Sequence, residues 1–118
     1  MRSLGKVGEQ IALDYLQKQG YSLVEQNFFA RFSEIDLIVK KEKKLVFCEV
    51  KLRTSFAKGK PFEAVTDLKI NRLLKAVDFF LSQRPEFAEF EKHLWVISIV
   101  LTNNKPEIQV LEFDGTGF

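Results

Sequence analysis

This chain of 118 residues contains one cysteine, one histidine, six glycines and three prolines. A single cysteine, Cys48, excludes a disulfide within the chain. Cys48 and His93 together cannot supply the four ligands of a structural Cys/His zinc site. The sequence also has neither a P-loop nor a GxGxxG pattern, so we expect no nucleotide cofactor.

Long apolar segments are absent as well. No apolar run approaches the ~20 residues that a membrane helix needs, and the first ten residues, MRSLGKVGEQ, contain no apolar signal segment. We therefore expect a cytoplasmic protein that does not associate with membranes. Hydrophobic content of 46% and charged content of 29% are ordinary for a soluble globular protein. The length predicts a single domain over residues 1–118.

Positive charge is concentrated in one part of the sequence. The net charge of +2 argues against a simple basic coat for nucleic acid. Residues 51–75 carry seven basic and two acidic side chains, whereas residues 76–118 carry three basic and seven acidic ones. Such a block either faces a phosphate backbone or forms a solvated loop and helix surface. Its basic members are Lys51, Arg53, Lys58, Lys60, Lys69, Arg72 and Lys75.

Residues 33–53, SEIDLIVKKEKKLVFCEVKLR, predict two strands joined by a tight, charged turn. The first half alternates with the period of a half-buried strand. In the second half, apolar residues occupy one face and a mixed set occupies the other. Strand interiors are depleted in Asp and, to a lesser degree, in Glu and Lys. Three charged residues inside these strands therefore need an explanation: Asp36, Glu49 and Lys51.

The register of this hairpin supplies an explanation for these three charged residues. A two- or four-residue loop centred on residues 42–43 pairs Lys40 with Leu45, and counting back then places Asp36 opposite Glu49. Residues directly opposite each other share a face, with Cβ atoms ~4.5–5.5 Å apart. A three-residue loop would shift the register by one and place the two acids on opposite faces.

Two opposed carboxylates repel each other, and the pKa of one of them rises unless a cation joins them. A divalent cation such as Mg²⁺, or Mn²⁺ in its place, prefers oxygen ligands. In the same register Lys51 lies opposite Glu34 and projects into the same pocket. Glu34 could therefore be a third acid of the site or a partner for Lys51. These groups together are typical of a metal-dependent phosphodiesterase site. The same side chains could instead form a solvated, salt-bridged sheet face, and a short D…ExK match alone is weak evidence for a nuclease site.

The remaining elements follow from periodicity. Residues 3–19 predict a helix with Ser3 as N-cap and Gly20 at its end. Residues 21–28 predict a strand with three side chains facing inward, Tyr21, Leu23 and Phe28. Aromatic residues around Arg31 in the following link could stack on bases or belong to the core.

A second helix begins soon after Pro61 or at Thr66, and runs to Gln83. Lys69 and Arg72 share one of its faces, where they could hold phosphates or form ordinary surface. Residues 94–101 predict a strand covered on both faces, and residues 107–113 a final strand. The core stripe of the second helix contains Val65, Leu68, Leu73, Val77, Phe80 and Leu81.

Four stretches of the chain resemble, in order and spacing, the YraN-like family of small bacterial proteins. They are LGKVGEQIALDYLQKQGYSLVEQNF, SEIDLI, LVFCEVKLRTS and GKPFEAVTDLKINRLLKAVDFFL. That family belongs with the PD-(D/E)xK nucleases, which include restriction endonucleases and Holliday-junction resolvases. The resemblance implies a restriction endonuclease-like α/β sandwich in the order α-β-β-β-α-β-β, with a mixed sheet between helices.

The resemblance also implies a site. Asp36, Glu49 and Lys51 take the family's nuclease positions, and Glu9 is the acid of its GxxGExxA pattern. Asp36 and Glu49, with the backbone carbonyl of Val50, would bind Mg²⁺ or Mn²⁺. Phosphates of the nucleic acid would be held by Arg53, Lys69 and Arg72.

We therefore expect a metal-dependent endonuclease that hydrolyses nucleic-acid phosphodiesters. DNA is favoured over RNA only through the resemblance, which also leaves a homodimer open. The alternatives are a non-catalytic nucleic-acid-binding module with the same fold, and an interaction subunit whose acids only stabilise the sheet. The chain departs from its relatives at His93, Leu94 and Trp95, where they usually have Arg-Phe-Asp.

Overall fold

The computed structural model describes residues 4–31, 33–54 and 66–113. Its elements follow the predicted order of one helix, three strands, one helix and two strands. A short 3₁₀ turn, Pro85–Phe87, follows the second helix. The elements are α1 Leu4–Lys18, β1 Ser22–Phe29, β2 Glu34–Lys41, β3 Lys44–Arg53, α2 Asp67–Gln83, β4 Glu91–Thr102 and β5 Lys105–Glu112.

The five strands form one mixed sheet in the order β1-β2-β3-β4-β5. Only β3 and β4 are parallel to each other among these neighbours. A parallel pair needs a crossover connection, and α2 lies in the segment that joins these two strands. This α/β architecture is compatible with the restriction endonuclease-like fold and confirms the predicted fold class.

The two helices pack on opposite faces of the sheet. Under α1, the core includes Ala12, Leu16, Leu37, Val46 and Cys48. Under α2, it includes Ile38, Phe47, Leu73, Val77 and Phe80. The sequence predicts that β2 is half-buried. This prediction is wrong, because residues 35–39 are buried throughout.

The alternation of side chains along β2 is interrupted at Asp36. Leu37 packs in the cluster under α1, whereas Ile35, two residues earlier, packs in the cluster under α2. Regular alternation would place both on the same face. On the adjacent β1, Asn27 lies between the residues that pair with these two, and its φ of 53° is in the left-handed region. The candidate site forms at this irregular step.

The ends of the helices follow the sequence signals. Thr66 caps α2, since its Oγ1 accepts a hydrogen bond of 3.2 Å from the backbone N–H of Lys69, and this confirms the later of the two predicted starts. Gly20, with φ of 96°, follows α1 as expected. The predicted cap Ser3 and the predicted core residue Val65 lie outside the described residues.

Two predictions about the core are wrong. Leu23 is 38% exposed because it lies on an edge strand, where the register with β2 shifts between Leu23 and Glu25. Leu68 is 59% exposed. It precedes Leu73 by five residues, which corresponds to about 140° around the helix from the buried stripe.

None of the helices in residues 4–31, 33–54 and 66–113 is long and apolar enough to cross a membrane. Cys48 is fully buried in β3, and this burial raises the pKa of its thiol. The thiol therefore serves as a small core side chain, as its position on the apolar face predicts.

The close approach of α1 to β3 depends on Gly8. A Cβ atom at this position would lie 3.0 Å from Cβ of Leu52, which is fixed by the backbone of β3. Although Ala is a better helix former than Gly by about 1 kcal/mol, we expect Gly8→Ala to lower the free energy of unfolding by about 1–3 kcal/mol. Urea denaturation measures this change.

Gly5→Ala is the matched control, because Gly5 is exposed in the same helix. It should leave stability unchanged or raise it slightly. A Gly8→Ala variant as stable as the wild-type protein would contradict the tight contact between α1 and β3.

Candidate metal site

The hairpin of β2 and β3 has the predicted register. The chain turns through residues 42–43, with Glu42 at φ of 55°, and Lys40 pairs with Leu45. The paired residues continue in this register to Leu37 and Cys48. The ladder ends there, one step before the predicted pair of acids.

Asp36 binds the backbone of β3 through its side chain. The N–H of Val50 donates a hydrogen bond of 2.7 Å to Oδ2 of Asp36. The carboxyl of Asp36 therefore contacts β3 beside Glu49, although the two residues are not partners in the ladder. Val50 thus contributes its N–H to the site, a role that the sequence does not reveal, and its carbonyl as a metal ligand stays a prediction.

Three carboxylates meet at this step. One oxygen from each of Glu9, Glu34 and Asp36 lies within 4.8 Å of the others. Glu9 and Asp36 are buried and Glu34 is half-buried. Glu9 comes from α1, so the helix that packs across the sheet supplies one acid and β2 supplies the other two. The sequence left open whether Glu34 joins the site or pairs with Lys51, and the structure places it with the acids.

Glu9 is held by two residues that the sequence analysis missed. Asn27 donates a hydrogen bond of 3.0 Å from Nδ2 to Oε1 of Glu9. Nζ of Lys6 lies 3.4 Å from the same oxygen and donates a bond of 2.5 Å to Oδ1 of Asn27. The spacing of three residues between Lys6 and Glu9 was a detectable signal, as was an Asn inside a strand.

Glu49 lies between two lysines. It is 4% exposed, with Nζ of Lys51 3.7 Å from Oε1 and Nζ of Lys69 3.8 Å from Oε2. Among the residues that the structure describes, Oε2 is buried and has no hydrogen-bond partner. A buried carboxylate oxygen normally has such a partner, so this atom is suited to a ligand.

Burial raises the proton affinity of both Asp36 and Glu49. Burial, followed by the negative charge of Glu49, raises the pKa of Asp36 to about 8, although the bond from Val50 opposes this rise. Burial also raises the pKa of Glu49, against the opposing effect of Lys69 and Lys51. At neutral pH, Asp36 therefore retains a proton unless a cation approaches.

These donors fit a hard divalent cation. Glu9, Glu34 and Asp36 offer carboxylate oxygens close together, the ligand type that Mg²⁺ and Mn²⁺ prefer. Glu49 is adjacent, and its Oε2 has no hydrogen-bond partner within the described part of the chain. The acidic cluster could thus bind a metal ion. Within this cluster, Glu9 and Glu34 lie closer to Asp36 than the sequence pattern predicts.

The predicted phosphate-binding residues lie around one end of the sheet. Lys69 contacts Glu49, Arg72 is exposed on the next turn of α2, and Arg53 ends β3. Nε of Arg53 is buried without a hydrogen-bond partner among the described residues. Lys58 and Lys60 lie outside the described residues, so their part of the basic block is not placed.

Residues 93–95, where the chain differs from its relatives, lie away from the acidic cluster. His93 pairs with Val46, three residues before Glu49 on β3. Nδ1 of His93 and Nε1 of Trp95 each lie 3.0 Å from the carboxylate of Glu112. The two side chains thus connect β4 to β5, which is a structural role.

Residues 8–101 match the uncharacterised protein family UPF0102. The chain belongs to this family. The match covers both halves of the acidic cluster, on α1 and on β2, together with β3 and α2. It confirms the resemblance to YraN-like proteins.

Members of UPF0102 match over most of their own length. The protein from Syntrophomonas wolfei is 43% identical over 107 residues, which cover 91% of this chain and 92% of the relative. A relative from Clostridium botulinum is 36% identical over 100 residues, which cover 85% of this chain and 81% of the relative. A relative from Caldanaerobacter subterraneus is 36% identical over 104 residues.

Stability without metal should fall as pH rises. The folded protein holds the proton of Asp36 up to about pH 8, whereas the ordinary value is 3.8. The carboxyl of Asp36 therefore ionises at a lower pH in the unfolded chain than in the folded protein. As a result, the free energy of unfolding decreases between about pH 4 and pH 8. In EDTA, we expect Asp36→Asn to be more stable than the wild-type protein at pH 8 by at least ~1.4 kcal/mol, the equivalent of one pKa unit.

Urea denaturation at pH 4, 6 and 8 measures this difference, which should vanish at pH 4. Asp14→Asn is the matched control, because Asp14 is exposed on α1. It should show no such pH-dependent gain. If Asp36→Asn is no more stable than wild type at pH 8 in EDTA, the carboxylates do not destabilise each other as described.

Proposed function

We propose that this protein is a metal-dependent endonuclease that hydrolyses nucleic-acid phosphodiester bonds, with DNA as substrate and Mg²⁺ or Mn²⁺ as cofactor. The observation that carries the proposal is the buried carboxylate cluster with two lysines beside it. An acidic cluster alone is compatible with any cation. Lysines at the same site add groups that can contact the phosphate of a substrate.

The chain divides the work between acids and cations. Asp36, Glu9 and Glu34 would hold the metal, and Glu49 beside Asp36 would supply a further oxygen ligand. When bound, the metal polarises the scissile phosphate and lowers the pKa of the attacking water. Lys51 stabilises the negative charge that develops on the phosphate or orients the water.

Lys69 has a second part in this scheme. Its Nζ lies 3.8 Å from Glu49, and it extends from the first turns of α2, on the side opposite α1. Together with Arg53 and Arg72, it holds the phosphates next to the one that is cut. Because these contacts are electrostatic, binding should weaken steeply as salt increases.

A specific observation favours a second candidate, a nucleic-acid-binding module without catalysis. Lys51 and Lys69 already place two cations beside Glu49, so this acid can be balanced without a metal. In that case the protein binds DNA with strong salt dependence, and its affinity does not change when metal is removed.

Cleavage of labelled single-stranded, duplex, flap and four-way-junction DNA in Mg²⁺ or Mn²⁺ tests the proposal. We expect at least one of these to be cut, and Glu49→Gln to lower the rate by at least ~100-fold, as removal of one preorganised electrostatic group does. Glu86→Gln is the control, since Glu86 is exposed beyond the far end of α2 and pairs with Arg84. It should cut like wild type.

Cutting that survives in Glu49→Gln would identify a contaminating nuclease and contradict the assignment. DNA binding without any cutting, with an affinity that EDTA does not change, would favour the binding module. Neither binding nor cutting would leave an interaction subunit whose acids stabilise the sheet.

A further inference from the structure

A pocket lies between α2 and the residues that follow β1, including Ser33, which directly precedes Glu34. Its volume is about 250 Å³. Among the residues that the structure describes, its lining has three cationic side chains and one aromatic ring but no acid, namely Arg31, Arg72, Lys75 and Phe79. Its lining therefore favours an anion that also carries a flat apolar surface.

The aromatic ring is presented at the pocket rather than buried in the core. Phe79 is 46% exposed, although its neighbour on the helix, Phe80, is almost fully buried. The ring of Phe79 lies 6.0 Å from that of Phe28 at an angle of 36°. Phe28 therefore supports Phe79 from the core side, and the remaining surface of Phe79 is available for stacking.

Ser33 adds a polar group at the other wall. Its Oγ is buried and has no hydrogen-bond partner among residues 4–31, 33–54 and 66–113. A buried hydroxyl without a partner is unfavourable, and a donor or acceptor on a ligand would satisfy it. The backbone N–H of Ala30 donates to the carbonyl of Ser33 at 2.8 Å, which fixes this turn.

Two separate elements connect the pocket to the carboxylate site. Ser33 directly precedes Glu34, one of the three clustered acids. Arg72 follows Lys69 by three residues on α2, a rise of about 4.5 Å, and Lys69 contacts Glu49.

We propose that this pocket binds one unpaired nucleotide of a nucleic-acid strand beside the cleavage site, an inference that rests on the proposed function. The base stacks on Phe79, and Arg72 and Lys75 hold a neighbouring phosphate. The volume is below the ~300–1,000 Å³ of typical ligand sites, which suits one base rather than two. A base inside a duplex is stacked on its neighbours and cannot present its face to Phe79.

The inference therefore names a substrate class. The protein acts on single strands, or on flaps and junctions with an unpaired nucleotide next to the scissile phosphate. A fully paired duplex contacts the cations but leaves the pocket unused.

Fluorescence anisotropy in EDTA tests the pocket separately from cleavage. The probes are a labelled 12-nucleotide oligothymidylate and a duplex of equal length. We expect Phe79→Leu to weaken binding of the single strand about tenfold, because one base–aromatic stack is lost. Affinity for the duplex, and the slope of log Kd against log salt for both probes, should stay as in the wild-type protein.

The cationic side is tested in the same way. Arg72→Gln should lower the salt slope for the single strand by about 0.7, the value for one phosphate contact. Lys18→Gln is the matched control, because Lys18 is exposed at the opposite end of α1 from Glu9. It should not change the slope. Circular dichroism checks that each variant is folded.

Equal binding of the single strand by Phe79→Leu and wild type would overturn the inference while leaving the nuclease proposal intact. Equal weakening for strand and duplex would also overturn it, since no unpaired base would then be involved. Saturable binding of free thymidine monophosphate that Phe79→Leu removes, without a change for the oligonucleotide, would instead make this a mononucleotide site. A wild-type protein that binds neither probe in EDTA would overturn the pocket, whereas the nuclease proposal is decided separately by cleavage in Mg²⁺ or Mn²⁺.

Discussion

The repulsion among buried carboxylates is the constraint on which the rest of this structure depends. Glu9, Glu34 and Asp36 come together from a helix and a strand, and Glu49 lies beside them. Ionised acids so close together, and removed from water, are unfavourable unless a cation or a proton compensates them. Proteins maintain such an arrangement where it has a use, and perturbed carboxyl pKa values are characteristic of functional sites.

The fold supplies what this cluster requires. Helices on both faces bury β2 and β3, and this burial raises the pKa of Asp36 and of Glu49. Gly8 lets α1 approach β3 closely, which brings Glu9, the next residue, to the acids of β2. On the opposite face, α2 brings Lys69 to Glu49 and continues to the pocket beside Phe79. The site and the adjoining pocket thus share α2, and Ser33 of the pocket directly precedes β2.

The sequence predicted the parts that depend on local rules. The pairing of Lys40 with Leu45 followed from a tight turn between charged residues, and the cap at Thr66 followed from side-chain chemistry. The site itself was predicted only in part. Apolar and polar residues alternate regularly in this part of the sequence, so the pattern could not show that the side chains of β2 change face at Asp36. This change depends on how both helices pack. The role of Asn27 was missed because its contact with Glu9 exists only once α1 lies on the sheet, whereas the spacing of Lys6 and Glu9 within α1 was a detectable signal.

The most direct test of this account is a crystal structure of the protein soaked in Mn²⁺, with anomalous diffraction recorded to locate the ion. We expect an anomalous peak between the carboxylates of Glu9, Glu34 and Asp36, about 2.0–2.3 Å from the coordinating oxygens. The same soak of Asp36→Asn crystals should show no such peak. An empty cluster in the wild-type protein at saturating Mn²⁺, with the acids in the arrangement described, would contradict the metal site.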